Sequence, residues 1–224
     1  MTRRLIIGGT FNPVHRGHIA MARGARDALA VARVDWVPCH TPHHRPGDDL
    51  LPFDLRCDLL RAALNGEAGM VVNTVEAGLP VPSLTWRTVA ALRQADPGDT
   101  FLFALGPREF LRLHKWVRGR DIAAVTDIVV APRGPLDRDA FASELTDAWP
   151  DARTVPPPGP GMVAWEILPG RHALLLDLVP VEVSATEVRA RWRAGHDTTP
   201  LVPDAVQAAM LARRAEIDAI WSTP

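Results

Sequence analysis

Two histidines three residues apart, His15 and His18, close the run Leu5 to His18, which reads LIIGGTFNPVHRGH. A spacing of three places both rings on one face of a helix, where they point at the same ligand. The residues ahead of them suit a phosphate. Leu5, Ile6 and Ile7 form a short apolar run closed by Gly8-Gly9, which predicts a buried strand entering a tight turn with exposed backbone N–H groups. Asn12-Pro13 prolongs the loop, and a helical pattern starts near His15 with Ile19, Ala22, Ala25 and Leu29 on its inner face. A helix start after a glycine loop attracts an anion through its free N–H groups and its dipole. The string is neither G-x-x-x-x-G-K-[ST] nor G-x-G-x-x-G, which counts against a P-loop kinase and an ordinary dinucleotide-binding dehydrogenase.

A second anion-suited terminus lies near the end of the chain. Ser184 followed three residues later by Glu187 reads as a capping box, which starts a helix immediately after a strand and loop. Thr186 and Arg189 fall on its early turns, so a hydroxyl, N–H groups and a guanidinium can converge on an anion; the alternative is an ordinary capped helix with exposed arginines. Between the two termini, Cys39 to Gly47 (CHTPHHRPG) is a Pro-stiffened surface loop or, functionally, a flap in which Arg45 clamps a triphosphate. Its Cys-His-x-x-His-His spacing matches no common zinc pattern, so no metal ligand is assigned. No activated Ser or Cys accompanies these groups, which fits direct transfer between two bound substrates.

The elements that must hold these residues alternate. Strands are predicted at Leu5–Ile7, Val34–Val37, Val71–Val72, Thr100–Leu105, Ile128–Val130 and Ala173–Val179, with helices after most of them. Strand, helix, strand is the opening of a parallel, doubly wound α/β sheet. Pro52 to Leu64 and Leu84 to Gln94 are helical by pattern, with Ser83 as the N-cap of the second, and Asp137 to Ala148 forms a peripheral helix. Asp151 to Arg171, with five Pro and three Gly between Val155 and Gly170, reads as a loop without strands. Pro203 to Ile220 reads as one terminal helix. Trp116, on the helix that follows Gly106-Pro107 together with Phe110 and Leu113, is either a core residue or a platform for a flat ring.

At 224 residues the chain is long enough for one α/β domain with a sizeable core, and we take 1–224 as a single domain, with 1–180 as the sheet core and 181–224 as a C-terminal helical segment. A net charge of −1 and a pI of about 6.7 supply no global basic field, which points away from nucleic acid and toward a small anion. Lys115 is the only lysine, so anionic ligands must be met by arginine. No apolar run approaches a membrane span and the first residues lack a signal-peptide pattern; with two cysteines outside any C-x-x-C, a cytoplasmic protein without membrane attachment is expected. Oligomeric state is left open.

GGTFNPVHRGH resembles the signature of the HxGH nucleotidylyltransferase superfamily, in wording close to bacterial nicotinate-nucleotide adenylyltransferases. The resemblance implies a Rossmann-like fold and ATP binding by Gly8, Gly9, Thr10, Phe11, His15, His18, Gly106, Ser184, Thr186 and Arg189, with His15, His18 and Arg45 in the catalytic role. PHHR resembles that family's P-P-H-[KR] loop, PSLT its P-S-Y-T and SATEVR its [IV]-S-[SA]-T-x-[IV]-R. These matches imply a pyridine mononucleotide at Asn12, His44, Arg45, Ser83, Leu84, Thr85 and Trp116, and Mg²⁺ carried by the ATP phosphates. Arg108 stands where the family has Asp, with Glu109 beside it, and Leu84 replaces the family's Tyr; a cation at position 108 is expected to meet the ligand and alter substrate choice. The implied activity is adenylyl transfer from ATP to nicotinate mononucleotide. Nicotinamide mononucleotide or another phosphate acceptor, and a non-catalytic nucleotide sensor, are the alternatives.

Overall fold

Leu5 and Ile7 face one side of the first strand and Ile6 the other, and each belongs to a different buried apolar set, so helices must cover both faces of the sheet. The computed structural model describes residues 2–42, 49–132 and 134–221. Eight strands form one sheet: β1 Arg3–Gly9, β2 Arg33–Pro38, β3 Met70–Val72, β4 Thr100–Leu105, β5 Asp127–Val130, β6 Arg153–Val155, β7 Met162–Leu168 and β8 Arg171–Leu176. Their spatial order is β3-β2-β1-β4-β5-β8-β7-β6. All pairs from β3 to β8 are parallel, and β8–β7 and β7–β6 are antiparallel. This is the Rossmann-like, doubly wound α/β architecture expected from the sequence.

The helices are α1 Arg16–Leu29, α2 Phe53–Ala63, α3 Thr85–Ala95, α4 Pro107–Arg112, α5 Gly119–Val125, α6 Arg138–Ala148, α7 Ala185–Arg193, α8 Asp204–Ala212 and α9 Arg214–Trp221. One face of the sheet carries Leu5, Ile7, Trp36 and Leu102 against apolar residues of α1, α2 and α7 to α9. On the other face, Ile6, Phe103, Ile128 and Leu175 meet α3 to α6. β1 and β4 pair side by side in the middle of the sheet, and from them the chain winds outward in opposite directions, to β2 and β3 on one side and to β5 and β8 on the other. At such a reversal the loops leaving the carboxyl ends of the strands diverge and open a crevice.

Four expectations from the sequence are corrected. The Pro-rich stretch 151–171 is not strand-free: β6 and β7 lie within it, and Val163–Leu175 and Trp165–Ala173 pair across an antiparallel hairpin. Pairing with β8, a contact no local pattern encodes, turns these residues into strands despite the surrounding Pro and Gly. The terminal segment is two helices, not one, broken at Arg213. Ser83 is not the cap of α3; Leu84 holds that place with extended backbone, and the Ser83 hydroxyl accepts from Thr41 N–H at 3.0 Å. The last strand of the chain ends at Leu176, three residues before Val179.

At the end of the sheet away from the crevice, Arg4 and Asp35 form a buried, two-pronged ion pair at 2.8 and 2.9 Å. Arg33 and Asn73 also donate to Asp35, and Arg4 reaches Asp96 and Asp99. Each side chain of the central pair is at most 2% exposed, so its charge is compensated by neighbours and not by water.

Candidate active site

The glycine loop leaves the carboxyl end of β1 and turns into α1, whose N-cap is His15 in extended conformation. His15 is buried at 1% exposure, and its ring stacks on His18 with centroids 3.6 Å apart. His18 Nδ1 accepts from His15 N–H at 3.3 Å, which assigns the proton of a neutral His18 ring to Nε2. Phe11 meets the His18 ring edge to face at 5.2 Å and so fixes its tilt. Gly17 between them has a steric reason: a Cβ there would lie 2.9 Å from Val181 O, in the segment that leads into α7. The two ends of the chain therefore touch where the helices begin. At the start of α7, Ser184 Oγ accepts from Glu187 N–H at 3.1 Å, the serine half of the expected capping box.

Both termini open on one cleft of about 540 Å³. Gly8, Gly9, Thr10, Phe11, Asn12, His15 and His18 line it from the first loop, Ser184 and Thr186 from the second, Ser83 and Thr85 from the start of α3, and Gly106 and Trp116 from the segment after β4. Trp116 is not on the helix as expected but follows it, since α4 ends at Arg112 and a tight turn over Leu113–Lys115 intervenes; it is half-buried, packing on the second apolar core while part of its surface faces the cleft. Leu84 does not line the cleft. His44 and Arg45 lie outside the described residues.

Two cations depart from expectation. Arg189 is buried beneath the loop instead of lining the cleft: Nη1 donates to Asn12 O at 2.7 Å and Nε pairs with Asp49 at 2.7 Å. Arg108 is exposed on the outer side of α4, in a groove with Leu111, Asp137 and Glu144. Its neighbour Glu109 faces the cleft instead, because one residue of helical rotation turns position 108 away. The Arg108 side chain therefore does not line the cleft.

Glu76, Asp49 and Arg56 were not singled out from the sequence. Glu76, buried in the cleft wall, accepts from His40 N–H at 3.0 Å and from the Thr88 hydroxyl at 2.7 Å. Cys39 lines the same wall, and burial, together with the Glu76 charge, pushes its thiol up to about 11, so it is a neutral donor rather than a nucleophile. Asp49 gathers the Asn12 amide and the Trp221 indole on its main-chain oxygen. Arg56, 1% exposed, bonds main-chain carbonyls of two loops. Only an acid or arginine flanked by loops marks these positions in the sequence, because their partners are distant along the chain. Among the described residues no group of three or more His, Cys, Asp or Glu side chains is placed to hold a metal ion, so a divalent ion has no protein cage there.

A cleft that joins two phosphate-suited helix starts at a sheet reversal can be compared with known proteins. The cytidylyltransferase-like family model matches residues 6–191. A probable nicotinate-nucleotide adenylyltransferase of Geobacter sulfurreducens is 34% identical over 205 residues, 90% of this chain and 92% of its own. Its counterpart in Geobacter metallireducens is 32% identical over the same shares. The fold is similar to that of Plasmodium falciparum nicotinic acid mononucleotide adenylyltransferase, solved with APC and with NaAD, at a TM-score of 0.69 and 13% identity over 96% of this chain and 98% of that one. The chain belongs to the cytidylyltransferase-like family, among the bacterial nicotinate-nucleotide adenylyltransferases.

Proposed function

We propose that the cleft transfers the adenylyl group of ATP to nicotinate mononucleotide, giving deamido-NAD and pyrophosphate. The observation that carries this reading is the opening of both helix starts, His15–His18 and Ser184–Thr186, onto a single cleft. The first binds the β- and γ-phosphates through loop N–H groups and the two imidazoles, and the second closes on the same phosphates and the adenosine. Ser83, Thr85 and the Trp116 ring hold the pyridine, with Asn12 shaping the path between the halves. His44 and Arg45 are assigned by motif to the triphosphate flap. Arg189 acts by holding the loop through Asn12.

An oxygen of the mononucleotide 5′-phosphate, already ionised near neutral pH, forms the new bond to the α-phosphorus. The bond from that phosphorus to the bridging oxygen breaks, and pyrophosphate leaves with the electron pair. No proton has to be removed from the nucleophile and no side chain is modified, so the protein contributes alignment and donors for the charge that grows on the bridging oxygen. Mg²⁺, held mainly by phosphate oxygens and water, would accompany ATP and neutralise part of its charge. We place the enzyme in the cytoplasm, as one domain acting on two small nucleotides and requiring neither nucleic acid nor membrane. No described helix is long and apolar enough to cross a membrane.

Pyrophosphate release, followed with ATP-Mg²⁺ and separately with nicotinate mononucleotide, nicotinamide mononucleotide and phosphopantetheine, tests this. Turnover is expected with the nicotinate form. Preference for another acceptor would reassign the substrate, and ATP binding without release would make the protein a sensor.

A further inference from the structure

Arg56 is a buried cation with an unusual set of partners. Its Nε donates to Leu51 O at 2.9 Å, Nη1 to Thr10 O and Cys39 O at 2.8 Å each, and Nη2 to His40 O at 3.3 Å. No carboxylate among the described residues forms an ion pair with it, so a charge that burial makes costly is compensated mainly by main-chain dipoles, with the Phe53 ring 5.6 Å away and the more distant Glu76 charge adding to them. Burial draws its pKa down, yet a guanidinium stays protonated.

The carbonyls it collects belong to different loops. Thr10 is in the glycine loop, while Cys39 and His40 leave β2. In a trans peptide the N–H of the next residue points opposite to the carbonyl, so each bond to Arg56 also aims an N–H away from it. Two of these N–H groups can be followed. His40 N–H meets Glu76 at 3.0 Å and Thr41 N–H meets Ser83 Oγ at 3.0 Å, and both acceptors line the cleft. The third belongs to Phe11, which also lines the cleft and whose N–H meets no acceptor among the described residues. Phe11 is held at φ 49°, a left-handed conformation that a non-glycine residue adopts only against a steric penalty. A fixed Thr10 carbonyl is one of the constraints that keeps it there.

We propose that Arg56 is a positioning residue shared by both halves of the cleft: by drawing the Thr10, Cys39 and His40 carbonyls to itself it presents the Phe11 N–H to the ATP phosphates and sets Glu76 and Ser83 on the mononucleotide side. This rests on the adenylyl-transfer reading above. A lysine has a single ammonium in place of the fork and cannot hold both loops at once.

The test compares Arg56→Lys and Arg56→Ala with the unaltered protein. Folding is checked by melting, and KM is measured for ATP and for nicotinate mononucleotide. In folded Arg56→Lys both KM values are expected to rise about tenfold or more, since small misplacements of substrate-holding groups have effects of that order. Arg56→Ala is expected to recover in millimolar guanidinium but not in tetramethylammonium, a response that general loss of stability would not give. A folded variant with either KM unchanged overturns the proposal. Should both variants fail to fold, the unaltered protein decides: with ¹⁵N-labelled phenylalanine, the Phe11 amide must shift on adding a non-hydrolysable ATP analogue, and an unmoved amide overturns the proposal. Absence of pyrophosphate release from the unaltered protein would instead sink the reading on which it rests.

Discussion

Arg189 and Asn12, 177 residues apart in sequence, are joined by a 2.7 Å hydrogen bond from guanidinium to main-chain oxygen. The helix that follows the last strand thus grips the loop that follows the first. The same guanidinium meets Asp49 and the Thr186 hydroxyl, so one side chain fixes the distance between the two phosphate-suited termini.

Replacing Arg189 with lysine keeps the charge but cannot satisfy Asn12, Asp49 and Thr186 together. A buried acceptor is then left without its donor, at a cost of about 1–3 kcal/mol. The expected result is a lower melting temperature together with a reduced kcat/KM for ATP. Unchanged values for both would show that the termini are held by other contacts.

His18→Ala should leave the fold intact, because the ring is only half-buried and faces the cleft. Turnover should fall by about a hundredfold or more, the usual effect of removing a donor to developing charge. Circular dichroism and pyrophosphate release measured on the same sample separate the two effects, and full turnover would remove His18 from the mechanism.

Trp116→Ala distinguishes the two faces of that indole. Loss of a stacking platform raises KM for the mononucleotide more than for ATP, whereas loss of packing lowers the melting point and leaves the ratio of KM values alone. We expect the first effect to dominate, with some destabilisation because part of the ring packs on the apolar core. Equal changes in the two KM values would make the residue structural.

Acid stability should depend on Asp35. Burial works to raise its carboxyl, but the bonds from Arg4, Arg33 and Asn73 outweigh it and hold it below the ordinary carboxylate range. A carboxyl depressed in this way binds fewer protons folded than unfolded. Its contribution is complete above the unfolded value, about 3.9, and is lost as pH falls through the lower folded value. Asp35→Asn should cost about 3 kcal/mol at neutral pH by leaving Arg4 buried beside a neutral group, and should flatten the loss of stability below pH 4. Denaturant melts from pH 7 to pH 2 supply both numbers.

The glycine loop and paired histidines were legible because everything they need lies within fourteen residues: apolar strand, bare turn, helix start. Ser184 and Glu187 carried a local cap in the same way. That both termini open on one cleft was an inference from the motif, and the Gly17 contact with Val181 is its physical expression. Local pattern failed where pairing is distant. Val163 and Trp165 become strand only against β8, and Arg56 and Glu76 gain their meaning from carbonyls and N–H groups on other loops. Arg108 misled because alignment to a motif fixes a position in sequence, while one step along a helix turns a side chain by about 100°.

The Arg189–Asn12 bond also bears on how the protein is made. During synthesis the glycine loop leaves the ribosome long before its partner at position 189 exists, so until then the loop lacks the clasp that holds it in the finished fold. Nucleotide binding should therefore begin as a late event in the life of each molecule, switched on when α7 emerges and docks.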